Sequence, residues 1–188
     1  MATSLEPAQR LIRETFGAHP WFQPMLRLPS MPSVTIQMEL DGPSMEIDHT
    51  TFGPHTVLAS FAEQSRTTFR GLPGRISIIL TPPEEFLPMT PEEIFEITCR
   101  DADRLGLRVS NHVTRYRVVK LPADFYSLSP GTDALRPPQQ TPIPGLTLAG
   151  DYTRQQYLAT MEGAVVSGRL AAQMVQAAIP RRTAVGVG

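Results

Sequence analysis

Nineteen prolines are spread along 188 residues, about a tenth of the chain and twice the usual share. Each removes a backbone donor, and each pushes the residue before it out of the helical region. A chain so interrupted folds as short elements joined by many turns. The length suits one ordinary domain with a good core. Lys and Arg number 17 against 18 Asp and Glu, so the surface lacks the basic excess that nucleic-acid binding needs. The longest apolar stretches, such as Ile76 to Leu80, fall far short of the ~20 residues of a membrane span. The first residues, MATSLEPAQR, show no apolar signal core and no paired arginines, so the expectation is a cytoplasmic, not secreted, chain. A single cysteine, Cys99, excludes an internal disulfide and a cysteine-rich zinc site. It reads as a buried structural thiol.

Between the prolines, the hydrophobic periods separate helices from strands. Residues 4 to 16 read as a helix with Ala8, Leu11, Ile12 and Phe16 on one face. Pro20, Pro24, Pro29 and Pro32 surround Trp21, Phe22, Met25 and Leu26, an apolar segment that no regular helix accommodates. Val34, Ile36, Met38 and Leu40 alternate with polar residues as a half-buried strand does. Two further strands are expected over 55–62 and 75–80, and another over 112–120. Thr90, Pro91 and Glu93 spell a capping box at the start of a helix over 91–105, whose buried face is Ile94, Ile97, Ala102 and Leu105. Residues 121 to 145 read as loop. Leu146, Leu148 and Ala149 form a short strand ending at Gly150-Asp151. A helix begins near Thr160, with Met161, Ala164, Val165, Gly168, Ala172 and Val175 at three- and four-residue steps.

The strand–Gly–Asp–loop–helix stretch is where chemistry is expected. A glycine lets a ligand approach the backbone, the neighbouring carboxylate accepts hydrogen bonds from sugar-like hydroxyls, and the helix start offers free N–H groups and a positive dipole end. Such a terminus suits a phosphate, or a ring that becomes negative on reduction, such as a flavin. The same pattern is also that of ordinary structure. The remaining residues point to no other site. His19, His49, His55 and His112 have no metal-ligand spacing, so no metal is expected. Ser44, Ser60 and Ser167 lack a nucleophile-elbow context. No acid–base pair is evident, and no catalytic side chain is assigned.

The string LAGDYTRQQYLATMEGAVVSGRLAAQ, residues 148 to 173, closely resembles the C-terminal flavin-binding segment of plant- and cyanobacterial-type phytoene desaturases, within the amine-oxidase-like flavoprotein superfamily. SPGTDALRPPQQTPIPG resembles the Arg-Pro loop before it, RYRVVKLPADFY the strand entering that loop, and PWFQPMLRLPSMPSVTIQMEL a substrate-domain strand. The resemblance covers most of residues 20 to 178. It implies FAD as cofactor, with Gly150 and Asp151 at the pyrophosphate and ribityl chain. It puts Met161, Glu162, Gly163 and Ala164 against the flavin ring, Tyr126 near the substrate, and Arg136 in a structural role. The implied fold is α+β: 1–120 a partial substrate-binding domain, 121–179 the closing strand and helix of a Rossmann-like FAD domain, and 180–188 a disordered tail. The implied activity is dehydrogenation of a hydrophobic isoprenoid, with a quinone as plausible acceptor of the electrons. That substrate class makes a peripheral membrane location compatible with the chain.

The G-x-G-x-x-G fingerprint that grips the ADP half of FAD is absent from the 188 residues. The chain therefore reads as the C-terminal fragment or half of an enzyme, with a separate chain carrying that fingerprint as its partner. Two alternatives stand beside this reading. One is a flavin amine oxidase-like enzyme; the other is a non-catalytic interaction subunit that completes another chain.

Overall fold

The computed structural model describes residues 1–178; the tail expected over 180–188 lies outside them. In chain order the helices are α1 (Leu5–Phe16), α2 (Gln23–Arg27), α3 (Pro83–Phe86), α4 (Pro91–Arg104) and α5 (Met161–Ala178). The strands are β1 (Ser30–Leu40), β2 (Leu58–Glu63), β3 (Gly74–Leu80) and β4 (Val113–Tyr126). Helix and strand are mixed, as expected for an α+β chain. The residues group into two compact units, one of 32–122 and one in which 1–31 joins the residues from 123 onward.

The 32–122 unit is built on a sheet of order β2-β3-β1-β4, with β3 antiparallel to both β1 and β2. The period-two pattern of β1 dictates its orientation. Val34, Ile36, Met38 and Leu40 are all buried, on the same face of the sheet as their neighbours Ile76, Ile78 and Leu80 of β3 and Leu58 and Phe61 of β2. A one-residue slip would exchange this apolar set for Thr35, Gln37 and Glu39, which locks the register. Helix α4 closes the core through Ile94, Cys99 and Ala102. Its capping box forms: the Thr90 hydroxyl accepts from the Glu93 amide and the Glu93 carboxylate from the Thr90 amide. Burial pushes the Cys99 thiol up.

One carboxylate in this unit is buried without a cationic partner. Glu63 is 1% exposed. One of its oxygens accepts from the amide and hydroxyl of Ser44, the other from the amides of Gln64, Ser65 and Arg75. Burial alone would raise its pKa, but the hydrogen bonds at Ser65, Arg75 and Ser44 outweigh it and hold the group at about 2. It ties the β2–β3 connection to the loop after β1.

In the other unit the core is Leu5, Ala8 and Ile12 of α1, Phe22 and Met25, Leu28, Tyr126, Leu148 and Tyr152. The apolar proline-rich segment is core: Phe22 and Met25 are buried, and Trp21 meets the Phe22 ring edge-on at 4.8 Å.

Several local expectations are corrected. Leu11 of α1 is 47% exposed and Leu5 takes its place, because a face three residues wide admits only one of the neighbours Leu11 and Ile12. Residues 20–27 are helical after all, as a 3-10 turn (Pro20–Phe22) followed by α2. Pro20 and Pro24 sit in first-turn positions, where a missing N–H costs nothing. Strand β4 continues to Tyr126 through the expected loop; it is a sheet edge, where Pro122 forfeits no ladder bond. The strand expected at 146–149 is reduced to single bridges, Ala149 to Ala2 and Thr147 to Gln140, since only a few residues run beside it.

Glu63 carries a pH prediction. A carboxyl held at about 2 against an ordinary 4.5 contributes stability that is complete above pH 4.5 and is lost as pH falls toward 2. Urea unfolding of Glu63→Gln at pH 7 is expected to show a loss of about 3 kcal/mol, shrinking as the pH is lowered through that window. A loss that stays constant with pH would contradict this.

Candidate functional site

The turn at Gly150 is held by a closed set of hydrogen bonds around two buried hydroxyls. The Gly150 amide donates to the Ser167 hydroxyl at 3.0 Å, the Ser167 and Thr153 hydroxyls lie 2.6 Å apart, and the Thr153 hydroxyl reaches the Gly150 carbonyl at 2.9 Å. One proton assignment satisfies all three: Ser167 donates to Thr153, and Thr153 to Gly150. Gln139 adds a fourth bond, donating to the Thr153 hydroxyl at 3.0 Å. Ser167 and Thr153 are fully buried, so each bond forms where an unmade one would cost about 1–3 kcal/mol.

Helix α5 can approach this turn because its contacting stripe is small. Gly163, Ser167 and Ala171, four residues apart, are its buried positions. The apolar face expected from the sequence points away: Met161 is 89%, Val165 48% and Val175 46% exposed. Close approach of backbones selects small side chains over large apolar ones, and that choice reverses the orientation read from hydrophobicity. A methyl group on Gly150 would stand 2.4 Å from Tyr152 Cε1 and 2.7 Å from the Thr3 carbonyl oxygen, so nothing larger fits.

A second tie fixes the loop between turn and helix. Arg136 is 5% exposed. It donates to the carbonyls of Thr153 (2.5 Å), Asp151 (3.3 Å) and Tyr157 (3.5 Å) and to the Asp133 carboxylate (2.8 Å), and its guanidinium lies 4.9 Å from the centre of the Tyr126 ring. Gln155 reaches back to the Asp151 carbonyl at 3.0 Å, and its amide nitrogen sits 2.5 Å from where a Gly163 Cβ would be. Thr160 caps α5, its hydroxyl accepting from the Gly163 amide at 3.1 Å. The amides of Met161 and Glu162 have no partner among the described residues.

Beside these elements is a hollow of about 340 Å³ lined by Ala2, Thr3, Ser4, Ala149, Gly150, Asp151, Ala164 and Gly168. Of the residues named from the sequence, Gly150, Asp151 and Ala164 come together on this wall. Met161 and Glu162 stand exposed at the helix tip, and Gly163 is buried against Gln155 and Leu158. Tyr126 is buried under Arg136, away from the hollow's lining, and among the described residues its hydroxyl is without a hydrogen-bond partner, as is that of Tyr152. Burial raises the pKa of Asp151 although Arg136 opposes it, and burial together with the charge of Asp151 raises that of Tyr152. Ser167, Thr153 and Gln139 were not singled out by sequence reasoning. Only Gly163, Ser167 and Ala171, as a four-residue repeat of small residues, could have flagged the contact.

The wall fits a flat or chain-like ligand. It is made of small side chains and backbone, open next to Gly168, where an added Cβ would meet nothing within 4 Å, and edged by one carboxylate. Among the described residues, no three His, Cys, Asp or Glu side chains gather as a metal site would require.

The same region is shared with known proteins. A family model described as flavin containing amine oxidoreductase matches residues 1–176. The chain is 32% identical over 182 residues to the 15-cis-phytoene desaturase of Synechococcus elongatus, covering 93% of this chain and 38% of that protein. It is 31% identical to a probable zeta-carotene desaturase of the same organism, covering 88% and 39%. It thus spans well under half the length of the curated relatives it matches. Among solved structures, an oxidoreductase from Methanosarcina mazei superposes with TM-score 0.64 over 94% of this chain and 42% of that one at 16% identity. A putrescine oxidase superposes with TM-score 0.57 over 78% and 35% at 14% identity. At these identities the likeness is one of fold.

The hydrogen-bonded turn carries its own prediction. Ser167→Ala removes the partner of the half-buried Gly150 amide and of the buried Thr153 hydroxyl, and is expected to lower unfolding stability by about 1–3 kcal/mol in urea. Val165→Ala, on the exposed side of the same helix, is expected to change it by less than about 0.5 kcal/mol. Equal effects would show that the Gly150 contact is not what seats α5.

Proposed function

The chain belongs to the flavin-containing amine oxidoreductase family, and on that footing we propose that it forms part of an FAD-dependent desaturase acting on a long hydrophobic isoprenoid. The observation that carries the reading is the shared hollow: the Gly150–Asp151 turn and Ala164 of α5 line one space, with two free helix-start amides on the same helix. In this reading the sheet-bearing residues up to 120 are part of the substrate-binding domain, and residues 121–179 are the FAD-binding segment.

Each residue then has a task that follows from its surroundings. The Gly150 backbone, with no room for a side chain, comes close to the pyrophosphate and ribityl chain. Asp151 accepts hydrogen bonds from ribityl hydroxyls. Ala164 leaves space for the ring edge, and the α5 amides at Met161 and Glu162 favour negative charge where the ring is reduced. Gly163 holds the helix tip close to the Gln155 loop. Arg136 fixes the Asp151–Tyr157 loop by its carbonyls, a positioning role, and Tyr126, buried beneath that guanidinium, is proposed near the substrate on the resemblance to desaturases rather than on the hollow. Bound FAD would supply the acceptor for a hydride from one carbon of the chain while the adjacent carbon loses a proton to solvent, and a quinone is the proposed reoxidant. Orientation and exclusion of water are what the protein contributes. The identity to carotenoid desaturases, rather than to amine-oxidising enzymes, favours a polyene over an amine. No described helix is long and apolar enough to cross a membrane; a peripheral membrane location is proposed from the substrate class.

A flavin-binding experiment tests this. The chain is purified alone and together with a polypeptide carrying the G-x-G-x-x-G half, and each is given excess FAD. Bound flavin absorbance is expected in the joined form. Ala164→Phe, which fills the hollow from an exposed position, is expected to weaken binding at least about tenfold while leaving the melting temperature unchanged. A colourless protein in both states would defeat the reading. Turnover of an amine but not of a polyene extract would replace desaturase by amine oxidase.

A further inference from the structure

The face of the sheet opposite the core carries a second cluster, unrelated to the flavin reading. Because Ile36, Met38, Leu40 and Ile76 face inward, Gln37 and Glu39 of β1 and Arg75 of β3 face outward. Arg115 and Arg117, two apart on the edge strand β4, line a hollow of about 180 Å³ together with these residues and Tyr116. Three guanidinium groups here meet one carboxylate.

The three arginines are held differently. Arg75 is anchored. Its side chain is 13% exposed, lies 3.5 Å from Glu39, donates to the Gln37 amide oxygen, and stacks 4.0 Å over the Phe69 ring. Its Nε is buried with no hydrogen-bond partner. Arg115 and Arg117 are exposed and have no ion pair among the described residues. Like charges gathered on one sheet face repel unless countered, and Glu39 counters only one of the three. The hollow is too small and too polar for an apolar molecule, but it has room for one or two tetrahedral oxyanions, and the guanidinium fork matches their oxygens two at a time. A carboxylate ligand would leave a positive charge unbalanced where a phosphate can supply two negative ones.

We infer that this outer sheet face binds a phosphate group, with Arg115 and Arg117 as the free donors and Arg75 as the pre-positioned one. A free di- or oligophosphate and the phosphomonoester headgroup of a lipid present the same chemistry.

The full chain is titrated with sodium pyrophosphate at constant ionic strength by calorimetry, and separately sedimented with phosphatidylcholine vesicles with or without phosphatidic acid. The variant carrying Arg115→Gln and Arg117→Gln, both at exposed positions, is compared after circular dichroism confirms its fold. Arg117→Gln alone serves as a milder second variant, and Arg10→Gln on α1 as the control. Saturable pyrophosphate binding, weakened at least tenfold in the double variant and unchanged in the control, supports the site with a soluble ligand. Binding only to phosphatidic acid vesicles, lost in the same variant, supports it with a lipid headgroup. No binding in either arm, or binding that survives both substitutions, overturns it.

Discussion

The ring of hydrogen bonds joining Gly150, Ser167 and Thr153 is what the candidate site rests on. It converts a turn and a helix, seventeen residues apart in Gly150 and Ser167, into one wall. Its two hydroxyls are fully buried and every group in it finds a partner, so the ring resists any small shift of α5 along its axis. Neither end tolerates bulk: a side chain at 150 collides with Tyr152, and a large one at 167 would push the helix away. Arg136 extends the same logic. By collecting three carbonyls of the 151–157 loop it gives that loop a fixed course without regular secondary structure, where backbone acceptors would otherwise go unmet.

The 32–122 unit uses a different device. Its core is ordinary alternation on β1 and β3, closed by α4. The polar residue that matters there is Glu63, whose five donors make a buried carboxylate a knot between loops rather than a liability. Asp101 plays a smaller version of the same part, buried on α4 and accepting from the Val57 amide at 2.9 Å. Both carboxylates order loop backbone next to the sheet.

Much of the secondary structure was legible in advance. The alternation of Val34 to Leu40, the T-x-x-E box at Thr90 and the start of the last helix near Thr160 all appear where the periods and caps put them, because those signals are local. The candidate flavin wall was legible as a Gly-Asp turn before a helix start, a pattern shared with ordinary structure; the resemblance to known desaturases made it specific, and the family match over 1–176 supports that resemblance. The residues that seat the wall were not. Ser167 looked like an unremarkable serine and Thr153 like loop, since a hydroxyl's role depends on a partner many residues away.

Sequence alone determined most of the helices and strands, the buried side of β1 and the kinship to flavin enzymes, because propensity, period and motif are properties of neighbouring residues. Tertiary structure decided which side of α5 is covered, that residues 1–31 join those after 123, and where β4 ends. The physical reason is close packing. A helix that approaches a glycine turn within hydrogen-bonding distance must present Gly163, Ser167 and Ala171, and this requirement overrides the hydrophobic pattern of Met161, Val165 and Val175 that a reading along the chain prefers.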